Sequence, residues 1–358
     1  MTKAPDFTKR LPYVDVVKGI GILLVVLGHN AACEPGFHLT TFIYSFHMPL
    51  FFFLAGVFHD ETRTLVSHLA SKTRSLLLPC LLAFLAWVTL QAIFMPEVLF
   101  PILGDLSLNA LYGTGKTLFW GQLWFLTSLF VTTCVCHVLI KAPLLKGSVI
   151  RSAFALALIP AGIALLEWAP TLHSIFIGER NFIVTVVGLP WNIDLLPITA
   201  MFYLLGTSFP KRSVENQKWN PPMFFLGATT AFVLAGCGVL LLDWGMDLNN
   251  RRYDHWAGST CVAICGIGGV LLLSLALEKL AIRWPTKTLS FIGQRSLFIL
   301  VLHFSLQQNS FGKMISLNIP WSVAYVCSFA IGLIVPIGVS LLWERNWTKT
   351  RSRKKPVS

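Results

Sequence analysis

Residues 12–30 read PYVDVVKGIGILLVVLGHN, and seven residues further on 38–58 read HLTTFIYSFHMPLFFFLAGVF. Each block is about 20 residues of mostly aliphatic and aromatic side chains, enough to cross a ~30 Å hydrocarbon core as helix. In lipid, every backbone N–H and C=O must be satisfied inside the segment or in a closed barrel. The alternation of a barrel strand is absent, so helix is the economical reading. Similar blocks recur along the 358 residues. The expected spans are 13–33, 38–58, 76–96, 122–140, 152–168, 190–209, 221–242, 257–277, 288–306 and 321–343. The fold class that follows is all-α: a polytopic integral membrane bundle of about ten transmembrane helices. The apolar stretch Phe176–Leu189 suits a re-entrant or interfacial segment.

Composition points the same way. Hydrophobic residues make up 55% of the chain and charged residues 12%, about half the charged share of an ordinary soluble domain. The net charge of +12 raises the question of nucleic acid, but the basic residues sit in short clusters between apolar blocks, where they set topology. No nucleic-acid partner is expected. With the N-terminus inside, the inner segments hold 21 Lys and Arg and the outer segments 5. That bias predicts cytoplasmic N- and C-termini and an even number of spans. Residues 1–345 form the transmembrane domain and 346–358 a basic cytoplasmic tail able to meet lipid headgroups. Basic residues precede the first block without a small-residue cleavage site, so it reads as a retained span. The eight cysteines are scattered. Cys261 and Cys265 share a helix face without a second ligand pair, so no metal site is expected.

Ionisable side chains inside spans are costly and therefore mark function. Lys18 and His29 are eleven residues apart, three helical turns plus about 20°, so they share one face with about 16 Å between them along the axis. Lys18 could equally snorkel to the interface and His29 close the helix end. His47 stands near mid-membrane before Pro49, which removes a backbone donor and frees a carbonyl one turn earlier. A bend beside a buried imidazole suggests a hydrated cavity. Lys72 and Arg74 stand at a helix start, where an anion is favoured. Trp124 opens the fourth span, and Asn192 and Asp194 the sixth. Arg295 and His303 fall within the ninth, two turns apart. The outer loop DLNNRRYDHW (247–256) brings Arg251 and Arg252 beside aromatics, a mixture suited to a carbohydrate. A polar channel lined by spans one, two and nine, reaching from Lys18 to His29, would lower the cost of these groups.

DVVKGIGILLVVLGH (15–29), SFHMPLFFFLAG (45–56), KTRSLLLP (72–79), LWFL (123–126), PWNIDLLPITAMFYLLG (190–206) and LSFIGQRSLFILVLH (289–303) resemble the membrane-bound acyltransferase-3 family, especially its fucose 4-O-acetylase-like branch. The resemblance covers nearly the whole chain. It implies an acyl-CoA-dependent O-acetyltransferase that moves acetyl from cytoplasmic acetyl-CoA to a hydroxyl of a cell-surface or lipid-linked glycan, such as lipopolysaccharide or exopolysaccharide. The family's basic-residue-and-histidine motif falls on Lys18 and His29, with lysine where many members have arginine. Its basic pair before the third span matches Lys72 and Arg74 loosely.

The expected catalytic residues are then His29, His47, Arg295 and His303. The donor would be held by Lys18, Lys72 and Arg74, and the acceptor by Trp124, Asn192, Asp194, Arg251 and Arg252. No permanently bound cofactor is expected. The expected partners are acetyl-CoA, the glycan, membrane lipid and glycan-assembly proteins, and the expected location is a bacterial inner membrane. The rival reading is a transporter or flippase for a lipid-linked glycan, which would also place ionisable groups in spans. An inactive relative serving as a membrane partner is a third.

Overall fold

The computed structural model describes residues 12–33, 37–177, 188–210, 220–280 and 283–353. Its helices are α1 (Pro12–Gly28), α2 (His38–Val57), α3 (Leu65–Lys72), α4 (Leu78–Phe94), α5 (Pro96–Tyr112), α6 (Trp124–Ile140), α7 (Ser148–Ile177), α8 (Leu196–Thr207), α9 (Pro221–Leu242), α10 (Trp256–Lys279), α11 (Arg283–Gly293), α12 (Ser296–Ser316) and α13 (Trp321–Arg353). A π-helical turn, Thr73–Leu77, joins α3 to α4. The only sheet among the described residues is a two-strand hairpin, β1 (Met246–Asp247) with β2 (Arg252–Tyr253), between α9 and α10.

Seven of these helical stretches are long and apolar enough to cross a membrane, or eight if the bent α11–α12 pair counts as one broken span. The protein is an integral membrane protein of mostly helical architecture. Of the ten expected spans, 13–33 and 190–209 fall on shorter helices, of 17 and 12 residues. The third span begins earlier than its apolar core suggests, because α3, the π turn and α4 run on as one stretch. Helix α5 was not expected. Glu97, Asp105 and Pro101 interrupt its apolar pattern, so no window long enough to span stands out. The expectation for Phe176–Leu189 falls mostly on 178–187, outside the described residues. The C-terminal segment read as a tail continues α13 as helix as far as Arg353.

The helices sort into two populations. In α2, α6 and α10 most of the apolar window is buried (72%, 67% and 61%), whereas in the α3–α4 stretch only 6% is. Such outer helices expose Leu81, Leu85, Val233 and Leu241, side chains that lipid tails solvate as well as protein does. Tyr13, Phe46, Phe52, Phe202 and Tyr203 fill the centre and are almost completely buried. Close packing there depends on small residues. A Cβ at Gly56 of α2 would run into the carbonyl of Tyr203, and one at Gly206 of α8 into that of Phe53. The two helices therefore touch backbone to backbone, as small residues permit in membranes.

Candidate active site

Three histidines from three helices meet at one end of the bundle. His29 follows the last residue of α1, His47 lies within α2, and His303 lies within α12. The rings of His29 and His303 are 5.3 Å apart between centroids, and Tyr44 lies 5.0 Å from His47. Local bonding fixes their tautomers. His47 Nδ1–H donates to the Ile43 carbonyl at 2.8 Å, and His303 Nδ1–H to the Ile299 carbonyl at 2.8 Å. Each is a bond to the residue four back on its own helix, and it leaves Nε2 as an acceptor. The Tyr44 hydroxyl donates to the Gly28 carbonyl at 2.9 Å, so its oxygen accepts from His29 Nδ1–H at 3.3 Å. His29 Nε2 is thereby also left as a base. Nε2 of His303 is buried and has no partner among the described residues.

His29, Tyr44, His47, Gln122, Trp124 and Asn249 help to line a cavity of about 80 Å³. Its lining does not include Lys18, so this cavity does not reach from His29 to Lys18 as the expected channel would. The volume is small beside the roughly 300–1,000 Å³ of ordinary ligand pockets. Gln122 donates from Nε2 to the Val301 carbonyl at 3.1 Å, while its Oε1 is buried without a partner among the described residues.

One wall is the loop 246–254, and it is locked from behind. Arg251 Nε donates to Asp194 Oδ2 at 2.8 Å, and its Nη2 donates to Asn192 Oδ1 at 2.9 Å. The ion pair is almost wholly buried, with side-chain exposures of 6% and 0%. Asp194 also accepts from the Leu189 amide, and the Asn192 amide reaches the Gly113 carbonyl at 3.0 Å. Trp191, Asn192 and Arg251 all hold positive φ, between 56° and 59°. Such backbone costs on the order of 1 kcal/mol per non-glycine residue and persists where surrounding bonds dictate it. Asn192, Asp194 and Arg251, expected to touch substrate, spend their polar atoms on one another and set the position of Asp247–Asn250 at the cavity rim.

The remaining expected site residues lie apart. The Lys18 ammonium sits over the Phe58 ring, 5.3 Å from its centroid, toward the opposite end of the bundle. Arg74 is exposed and shares an open groove with Arg63, Ser67 and Ser71. Lys72 is half-buried beside it. Arg252 pairs with Asp254 near the surface, and the aspartate's hydrogen bond holds its guanidinium above the usual range. Arg295, expected within a continuous span, stands instead where the helix breaks. It occupies the break between α11 and α12, whose axes differ by 78°. There it donates to Glu344 at 3.0 Å and to the Phe291 carbonyl at 3.1 Å. The partner that a buried arginine requires is thus Glu344 on α13.

Two neighbours of the histidines escaped the sequence reading. Tyr44 precedes His47 by three residues and so shares its helix face, a signal that was present. Gln122 stands beside Trp124 in an otherwise apolar block. A second group, His59, His68 and His137, was also missed; one ring nitrogen from each lies within 4.8 Å of the other two. Nothing local links residues so far apart in sequence.

Residues 11–342 match the acyltransferase-3 family, described as an acyltransferase domain. No curated protein and no solved structure matches the chain.

Proposed function

Because the chain belongs to the acyltransferase-3 family and is a membrane acyltransferase, we propose that it transfers acetyl from acetyl-CoA to a hydroxyl of a cell-surface or lipid-linked glycan, as a fucose 4-O-acetylase-like enzyme. The observation that carries this reading is the pair His29 and His47 on the cavity wall, with His303 packed against His29, set at the far end of α1 from Lys18. In this proposal the chain has ten spans in a bacterial inner membrane, with both termini cytoplasmic. Lys18, Lys72 and Arg74 then face the cytoplasm, where they attract the phosphates of CoA.

The sugar hydroxyl attacks the thioester carbonyl while His29 Nε2 takes its proton. Imidazole suits that task because its unprotonated ring nitrogen is a proton acceptor. The C–O bond forms, the C–S bond breaks, and the proton passes from His29 to the departing thiolate. His47 Nε2, on the same cavity wall, accepts from a neighbouring hydroxyl of the sugar and so orients it, while His303 packs against the His29 ring. The Gln122 amide, with one proton not committed to Val301, is the donor for the carbonyl oxygen as it gains charge. The cavity accommodates the acyl end of the donor, and the sugar approaches at the rim formed by Asp247–Asn250.

The test is reconstitution of the full chain in nanodiscs with acetyl-CoA and surface glycans. The expected result is thiol release that depends on both substrates, with acetyl appearing on the glycan. Movement of a lipid-linked glycan across vesicles without acetyl-CoA turnover would sink this reading in favour of a flippase.

A further inference from the structure

At the opposite end of α2 and α6 from the cavity, His59, His68 and His137 bring three imidazoles together from the loop after α2, from α3 and from α6. Ring centroids are 5.6 Å apart for His59–His68, 5.1 Å for His59–His137 and 4.2 Å for His68–His137. His68 and His137 are almost fully buried, at 2% and 0% exposure. His59 Nε2, His68 Nε2 and both ring nitrogens of His137 have no hydrogen-bond partner among the described residues. Four unsatisfied nitrogens in one small buried volume are a large cost, since each forfeits the solvation it had in water. Stacking of His68 on His137 explains why those rings are parallel, but it satisfies none of the nitrogens.

We infer that His59, His68 and His137 form a binding site for a single zinc ion. Three neutral imidazoles are a known zinc ligand set, with the fourth position left to water. Nitrogens bound to one tetrahedral zinc at ~2.0–2.1 Å lie roughly 3.4 Å apart, so closing the site asks for a shift of about 1 Å and for the stacked His68 and His137 rings, 13° from parallel, to rotate until both lone pairs point at the ion. The outer bond is already present. His59 Nδ1 and the Tyr203 hydroxyl are 2.7 Å apart, and this bond orients His59 Nε2 toward the other two rings, as partners beyond the ligands do at metal sites.

Nearby cations do not forbid a dication. Arg63 is paired with Asp60 and Arg151 with Glu61, while the Lys141 ammonium donates to the Arg63 carbonyl. Lys72 is the other cation near His59 and His68. A zinc ion here would tie the loop after α2 to α3, α6 and, through Tyr203, α8. It would brace the groove that holds Arg63 and Arg74.

The test uses the full chain in detergent, purified without a polyhistidine tag, stripped with a chelator, reloaded with zinc and dialysed. Elemental analysis should find about one zinc per chain, and a His68→Ala/His137→Ala double variant should lose nearly all of it. Equal zinc in the two proteins, or another transition metal taken up instead, overturns the inference. Tyr203→Phe should weaken zinc affinity roughly tenfold or more. If the double variant does not fold, X-ray absorption on the wild-type protein decides. A shell of nitrogen and oxygen neighbours near 2.0 Å with imidazole scattering supports the site; a sulfur shell or no bound zinc overturns it.

Discussion

The two histidine clusters, one around the middle of α2 and one just past its end, solve the problem of a buried imidazole differently. His47 and His303 each give Nδ1–H to a carbonyl of their own helix; His47 lines the cavity with His29, and His303 packs against the His29 ring. His59, His68 and His137 leave four ring nitrogens without partners and converge on one another. A ring anchored at one nitrogen and open at the other can exchange a proton with something that enters. Rings that face only one another have nothing to exchange with and suit a fixed ion. The surroundings repeat the contrast: the first cluster looks into a cavity walled by a locked loop, and the second is wedged between a loop and two helices.

The most direct way to break this comparison is His29→Ala. General-base contributions are typically 10²–10⁴-fold, and a loss of that size in turnover is expected, with normal membrane insertion. A loss of only a few-fold, measured as thiol release in nanodiscs, would make the first cluster structural as well. Next in size is Arg251→Ala, which strands Asp194 without its buried partner. Breaking such a pair costs about 3–5 kcal/mol, so the melting temperature in detergent should fall markedly and activity with it. An unchanged melting temperature would mean that the Asp247–Asn250 rim holds its place without this lock.

Lys18→Ala should raise KM for acetyl-CoA by about tenfold, since one favourable charge contact is worth on the order of 1 kcal/mol. Turnover at saturation should stay nearly constant, and Lys18→Arg should restore KM. Unchanged acetyl-CoA affinity in Lys18→Ala would remove the lysine from donor binding. The smallest effect is expected for Tyr44→Phe. It removes one neutral hydrogen bond to His29, worth roughly 1 kcal/mol, and should slow turnover several-fold without altering KM. A loss as large as that of His29→Ala would instead give Tyr44 a direct part in the chemistry.

Much of this architecture was legible before any coordinates. Blocks such as HLTTFIYSFHMPLFFFLAGV announce helices because hydrophobic length is a local property and lipid leaves the backbone few alternatives. His29, His47 and His303 stood out for the same reason, as polar residues embedded in apolar runs. Local reading failed where a partner lay elsewhere. Arg295 looked like a mid-span charge because neither the break before Ser296 nor Glu344, 49 residues away, is visible nearby. Asn192, Asp194 and Arg251 looked like free polar groups of outer loops, yet they close on one another across 57 to 59 residues. His59, His68 and His137 carried no local signal.

The sequence by itself determined that this chain is a membrane-embedded helical acyltransferase, since the length and apolarity of each segment and the family motifs are written consecutively. Only the tertiary structure decided which polar groups neutralise one another and which remain open for chemistry, because hydrogen bonds and ion pairs depend on distances of about 3 Å between residues that chain order leaves far apart.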